Sequence, residues 1–220
     1  MDKIMTRLLL GLILSYLIGS IPSGYLLGKI IKGVDLRQHG SGNLGATNAF
    51  RVLGKGIGAG VLIVDILKGT FAVILAKNYF YQENMGISLN LFLCLTAIAV
   101  VSGHNWTIFL RFKGGKGIAT SLGVLIAFAI LIERFIWVVL CVVFLWLIIF
   151  LSSGFVSLAS VLCSIALPLA SIFFHLPKEI IILLSVLGVF SVIRHKPNIS
   201  RLLQKKESRF HPLRFIKKTP

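Results

Sequence analysis

The sequence predicts an all-α, polytopic integral membrane protein with about seven transmembrane helices, N-terminus outside and C-terminus cytoplasmic. Three observations predict it. First, 56% of the 220 residues are hydrophobic, only 14% are charged, and the mean hydropathy is +0.93. Such a chain cannot hide its apolar surface in a core of its own, so the bilayer must act as solvent. Second, the apolar residues fall in runs of roughly spanning length, about 20 residues, separated by short polar loops. Third, the basic residues are distributed unevenly between alternate loops. The formal charge of +16 would otherwise point to nucleic acid, but that reading needs a soluble basic face. Here the charges flank apolar spans, and no nucleic-acid partner is expected.

The first span covers residues 8–31. Lys3 and Arg7 precede it as in a signal peptide, but no small-residue cleavage site follows, and the apolar pattern continues past Pro22 to Gly28. Ser20, Pro22, Ser23 and Gly24 within it predict close helix packing. The second span, 54–76, opens with GKGIGAG, where Gly56 and Gly60 form a GxxxG pattern that predicts a close-approach face. Asp65 and Lys68 lie one turn apart, roughly 16 Å into that span by helix rise. Intramembrane charges are costly and pair, so a structural ion pair facing the bundle is expected.

A polar turn at 78–88 leads to the third span, 89–110. The loop RFKGGKG then enters a short fourth span, 118–132, and Glu133-Arg134 turn the chain into the fifth, 135–151. After the small loop SSGFVS the sixth span runs to about 174. HLPKE turns the chain again, the seventh span is 180–193, and a basic tail starts at Arg194. Cys94, Cys141 and Cys163 all sit in apolar runs without ligand spacing and read as small buried apolar residues. No internal repeat or soluble domain is evident, so one membrane-embedded domain over 1–220 is expected.

Loops on the tail's side carry Lys32, Arg37, Arg51, Lys55, Arg111, Lys113 and Lys116, and the tail adds nine more lysines and arginines. The opposite side has only Lys3, Arg7, Lys77, Arg134 and Lys178, with four acids beside them. The positive-inside rule therefore places the tail in the cytoplasm.

The unusual polar sequences all fall on that side. In HGSGNLGATNAFR, residues 39–51, Gly40, Gly42 and Gly45 let successive N–H groups converge. A helix beginning at Ala46-Thr47-Asn48 adds its unsatisfied N–H groups and the positive end of its dipole. The expected result is a phosphate site, with Arg51 as a forked, permanently charged donor. Lys113-Gly114-Gly115-Lys116-Gly117 is not a Walker loop, because Gly follows the lysine and the spacing to an earlier glycine is wrong. It reads as a flexible loop aiming Lys116 and backbone N–H groups at an anion. His195 and Asn198 stand three apart, on one face if the seventh helix continues. His39 and His104 read as ordinary polar residues.

Two glycine-rich anion sites on one membrane face point to a lipid made from phosphate-bearing substrates. No histidine has Asp five residues on, no GxSxG elbow is present, and three aspartates in all cannot build an acid-rich metal site. No metal and no cofactor are expected. GSIPSGYLLGK, GSGNLGATNAFR, DILKG, GHNWTIFLRFKGGKGIAT and RHKPNISRLLQKKE, in this order across nearly the whole chain, resemble the acyl-phosphate-dependent glycerol-3-phosphate acyltransferases of the PlsY type. The resemblance implies transfer of a fatty acyl group from acyl-phosphate to the 1-hydroxyl of sn-glycerol 3-phosphate, giving lysophosphatidic acid and phosphate at the cytoplasmic face of the cell membrane. It also makes the enzyme that forms acyl-phosphate a candidate partner. By matching motifs it points to Ser41, Asn43, Thr47 and Arg51, to Lys116, to His195, Asn198 and Glu207, and to Ser157. Of these, Ser41, Arg51, Lys116, His195 and Asn198 are the expected catalytic residues. The others, with Gly40, Gly42, Gly45, Asn48, Gly114, Gly115 and Gly117, are expected to bind substrate. One departure is SSGFVSLAS, where Phe155 and Val156 replace the family's tyrosine and serine. A membrane carrier for a phosphate ester is the alternative. Carriers place their sites near the midplane between repeats, and neither feature is present here.

Overall fold

The computed structural model describes residues 3–210, which form helices and connecting loops with no strand among them. The His211, Arg214, Lys217 and Lys218 of the basic tail lie outside the described residues. Ten α-helices follow one another: α1 Lys3–Ser20, α2 Ser23–Lys32, α3 Ala46–Leu53, α4 Lys55–Phe80, α5 Leu89–Asn105, α6 Ile118–Leu131, α7 Phe135–Ser153, α8 Val156–Phe173, α9 Lys178–Arg194 and α10 Lys196–Leu203. Five segments are long and apolar enough to cross a membrane: Lys3–Lys32, Lys55–Phe80, Leu89–Leu110, Phe135–Ser153 and Val156–Phe173. The pair α9 and α10, bent by 60°, makes a sixth if taken as one span. α6 is apolar but has only 14 residues, roughly 21 Å by helix rise against a hydrocarbon core of about 30 Å. Large apolar side chains such as Leu67, Phe71, Trp137, Phe144, Ile165, Leu169 and Ile182 are exposed around the bundle, the arrangement expected where lipid is the solvent.

Helices in a bilayer gain no hydrophobic drive from meeting one another, so close packing of small residues must hold them. Two reciprocal glycine pairs do this. A Cβ at Gly19 of α1 would strike the backbone of Val100 on α5, and one at Gly103 of α5 would strike the backbone of Tyr16 on α1. Gly69 of α4 and Gly123 of α6 stand in the same relation to the backbones of Thr120 and Ile66. Gly24 meets the backbone of Leu44, as the small residues of the first span predict. The GxxxG expectation needs correcting. Nothing lies within 4 Å of a Cβ placed at Gly56, and at Gly60 only the Leu27 side chain does, at 3.6 Å. The intimate contact is Gly58 against Phe50, because α3 folds back onto the start of α4. Cys94 and Cys163 are buried, but Cys141 faces outward on α7. An apolar run does not reveal which of its faces meets lipid.

The α1–α2 break at Ile21-Pro22 leaves carbonyls without helical partners, and inside a membrane these must be satisfied by protein. Thr107 Oγ1 donates to the Ser20 carbonyl at 2.5 Å, and Lys68 Nζ donates to the Ile21 carbonyl at 2.9 Å. Lys68 also pairs with Asp65 at 2.9 Å, both almost completely buried, which is the ion pair expected from the sequence. α4 therefore sits at the middle of the bundle, touching α1, α2, α3, α5 and α6.

Candidate active site

The loops 33–45 and 106–117 and the segment 195–210, which contains α10, meet the start of α8 at one end of the bundle, around a cavity of about 490 Å³. Its polar end is lined by Ser41, Asn43, Gly45, Thr47, Asn48, Arg51, Lys116, Gly117, Ser157, His195, Asn198 and Glu207. The rest is an apolar shaft between α4, α6, α7, α8 and α9, with Leu62, Leu122, Trp146, Leu147 and Leu167 on its wall. Residues from four separate motifs thus share one cavity at one end of the bundle.

The first loop is built around Asn48. This side chain is 1% exposed and uses all its polar atoms locally. Its Oδ1 accepts from Ser41 N at 2.9 Å, and its Nδ2 donates to the carbonyls of His39 at 3.0 Å and Asn43 at 2.9 Å. Asn43 Oδ1 accepts from Gly45 N at 2.8 Å, a local turn of the kind asparagine favours. Gly40 has φ +60° and abuts Asn48 Oδ1, where no Cβ fits. Gly40 and Gly42 therefore shape the loop from outside the cavity wall, and Asn48 braces it. The start of α3 at Gly45, Ala46 and Thr47 faces the cavity. Arg51 lines the cavity as well, with one Nη donating to the Ser208 carbonyl at 3.0 Å. Burial moves its pKa below the ordinary arginine value, but an arginine there stays charged.

The KGGKG loop is fixed, contrary to the flexible loop expected. The N–H groups of Gly114 and Gly115 donate to the carbonyls of Asn105 and His104 at 3.2 and 3.0 Å, satisfying the end of α5. Their own carbonyls accept from Arg194 Nη2 at 2.7 Å and Nε at 2.9 Å. Gly114 and Gly115 are thus held in the scaffold beneath the cavity, while Lys116 and Gly117 face it. Arg194 was visible only as one of several basic residues. Nothing in the sequence marks it as the clamp on this loop.

Lys116 Nζ donates to Asn198 Oδ1 at 2.5 Å. Asn198 Nδ2 in turn donates to Glu207 Oε1 at 2.6 Å, which also accepts from Ser157 Oγ at 2.9 Å. Arg201 closes the network on Glu207 Oε2 at 2.7 Å. Burial pushes the Lys116 ammonium down to about 8. Glu207 opposes that shift, while Arg201, Arg51 and Arg194 reinforce it. Burial alone would raise the Glu207 carboxyl, yet hydrogen bonds from Asn198, Arg201 and Ser157 outweigh it and keep it below its ordinary value.

His195 sits in the bend between α9 and α10, so the helix does not continue as one rod. The bend still brings His195 and Asn198 to the same wall. His195 Nδ1 lies 2.8 Å from the Ser191 carbonyl. A carbonyl only accepts, so Nδ1 carries the proton and Nε2 the lone pair. Burial, then the neighbouring Lys116, lower this imidazole to about 4, and it is neutral at pH 7. His104 reads as ordinary in the sequence but is buried, lines the cavity and lies 3.5 Å from Asp65. His39 stays exposed, bonded to its own loop.

The family model of glycerol-3-phosphate acyltransferases matches residues 9–205. The chain belongs to this family. It is 41% identical to the glycerol-3-phosphate acyltransferase of Desulforudis audaxviator over 200 residues, covering 90% of this chain and 92% of that one. It is 44% identical to that of Bacillus subtilis over 197 residues, covering 89% and 94%. A crystal structure of PlsY, an integral membrane glycerol 3-phosphate acyltransferase in its glycerol 3-phosphate form, superposes with a TM-score of 0.84 at 38% identity. That match covers 96% of this chain and 99% of that one. The lysophosphatidic acid form matches with a TM-score of 0.81. Membership makes the chain a membrane-embedded acyltransferase of the PlsY family, and the resemblance carried by its motifs is correct.

Proposed function

We propose that this chain transfers a fatty acyl group from acyl-phosphate to the 1-hydroxyl of sn-glycerol 3-phosphate, releasing inorganic phosphate and lysophosphatidic acid on the cytoplasmic side of the cell membrane. One observation carries the reading. The cavity joins a cationic, N–H-rich head to an apolar shaft whose lining Leu62 and Leu147 are also exposed to lipid. A single-chain lipid with a phosphate end fits that shape, and its tail can stay between the helices. Relatives crystallised in glycerol 3-phosphate and lysophosphatidic acid forms support the acceptor and the product.

Acyl-phosphate is a mixed anhydride and needs no further activation. The glycerol hydroxyl attacks the acyl carbon, the new C–O ester bond forms, and the bond to phosphate oxygen breaks. The protein must hold two phosphate groups close together against their repulsion, which takes fixed cations and oriented N–H donors. Arg51, Lys116 and the start of α3 fill that role. A phosphate oxygen, with a second pKa near ~6, accepts the hydroxyl proton. An imidazole at about 4 is a weak base at neutral pH, which favours His195 as a hydrogen-bonding positioner. The single domain, the seven-span topology and an encounter with the acyl-phosphate-forming enzyme belong to the same proposal. Purified protein in detergent, given both substrates, should release inorganic phosphate in step with lysophosphatidic acid. Movement of glycerol 3-phosphate across liposomes without phosphate release would favour a carrier instead.

A further inference from the structure

Four polar side chains that the proposed reaction does not use gather beneath the second glycine loop. Asp65 Oδ1 accepts from Ser23 Oγ at 2.6 Å and pairs with Lys68 Nζ at 2.9 Å, with His104 Nδ1 at 3.5 Å. The group joins α2, α4 and α5 and is buried, Asp65 to 1% exposure and His104 to 8%. The far edge of the imidazole meets Gly115. A Cβ at that position would fall on His104 Nε2, and the Gly115 N–H donates to the carbonyl of His104 itself. The next residue along the chain is Lys116. Asp65 and His104 also reach the cavity wall.

A buried ion pair is weak support for stability, because desolvation offsets most of its attraction. Arg194 holds the loop by its carbonyls from the α9 side, and the end of α5 holds it by its N–H groups. The His104 ring lies against Gly115 from a third direction, with Asp65 Oδ1 3.5 Å from its Nδ1. Because Nε2 lies under Gly115, His104 is not placed to take a proton from substrate.

We propose that Asp65 and His104 are positioning residues for acyl transfer. Asp65, held by Ser23 and Lys68, orients the His104 ring as the platform that keeps Lys116 against Asn198. The inference rests on Lys116 gripping a substrate phosphate, as proposed above. A misplacement of about 1 Å costs on the order of 100-fold in rate, so loosening this platform should be felt mainly in kcat.

The test combines kinetics with a readout that needs no turnover. Asp65→Asn, His104→Asn and the milder Ser23→Ala are purified, and kcat is normalised to folded protein by thermal melting. The Lys116 amine is titrated by competitive acetylation with acetic anhydride and peptide mass spectrometry. Lys113 on the same loop is the internal reference. The groups facing Lys116, namely Glu207, Arg201, Arg51 and Arg194, are unchanged in all three variants. The expected result is a ~10- to 100-fold lower kcat for the first two. Lys116 should label faster, with its titration moved up from about 8 towards that of an ordinary lysine. Ser23→Ala should shift it the same way by less, and it decides the matter if the others fail to fold. Wild-type Lys116 labelling in folded variants overturns the proposal, whether activity is kept or is lost only with folded protein. If Lys116→Ala itself proves active, the assigned role of Lys116 falls, while the labelling shift still reports on the platform.

Discussion

Lys116 is the residue on which charge, burial and position at the cavity converge. Its ammonium is held by Asn198, and through it by a carboxylate with two further donors, Ser157 and Arg201. Lys116→Ala and Arg51→Ala should each lower activity by ~100-fold or more, the scale of a lost charge-assisted donor in a closed site. Lys113, exposed on the same loop, should matter far less when changed to alanine, and equal losses in all three would break the assignment. The same lysine sets a pH limit. Below about 8 it carries its charge, and above that value it loses the proton. Turnover should therefore fall on an alkaline limb near pH 8, well before an exposed lysine would titrate, and a pH–rate profile checks this. For His195→Gln, substantial remaining turnover with weakened substrate affinity is expected. Collapse of turnover at unchanged affinity, rescued by added imidazole, would make His195 the base.

Between α4 and α6 the helix backbones meet across Gly69 and Gly123. Gly123→Ala would push a methyl into the Ile66 carbonyl, and overpacking of this kind costs about 1–3 kcal/mol. Gly56→Ala meets open space and should leave the melting temperature in detergent unchanged or slightly raised. A GxxxG reading of the sequence ranks these two the other way. Glycine spacing shows where a backbone could approach, and only the partner helix shows where one does. Element positions were more legible. The sequence places α4 at 54–76 and the helix spans Lys55–Phe80. The helix starting at Ala46 is also where expected, because Gly54 and the polar loop bound it on both sides.

Across the whole molecule, α7 to α10 bring Trp146, Ser157, His195, Asn198 and Glu207 to a cavity begun by α3, α4 and α6. Arg51 and Lys116 line this cavity, Arg201 stands behind its lining residue Glu207, and Arg194 stands behind the Gly114-Gly115 carbonyls next to Lys116. In the proposed topology a cysteine at Lys206 should label only from the cytoplasm and one at Asn84 only from outside. Labelling from the same side would break the seven-span arrangement.

The sequence by itself determined the solvent, the helical class and the family, and its motifs named Arg51, Lys116, His195, Asn198 and Glu207, which the fold brings to one cavity. These properties are written in composition, in period and in residue types at fixed local spacings. Tertiary structure decided the roles of Asn48 as a loop brace, Arg194 as a clamp on the Gly114-Gly115 carbonyls, and Asp65 with His104 beneath Gly115. Each of these acts on backbone atoms or buried side chains that other helices bring close. Hydrogen-bond partners 79 and 80 residues apart, as for Arg194 and the glycine loop, leave no local pattern to read.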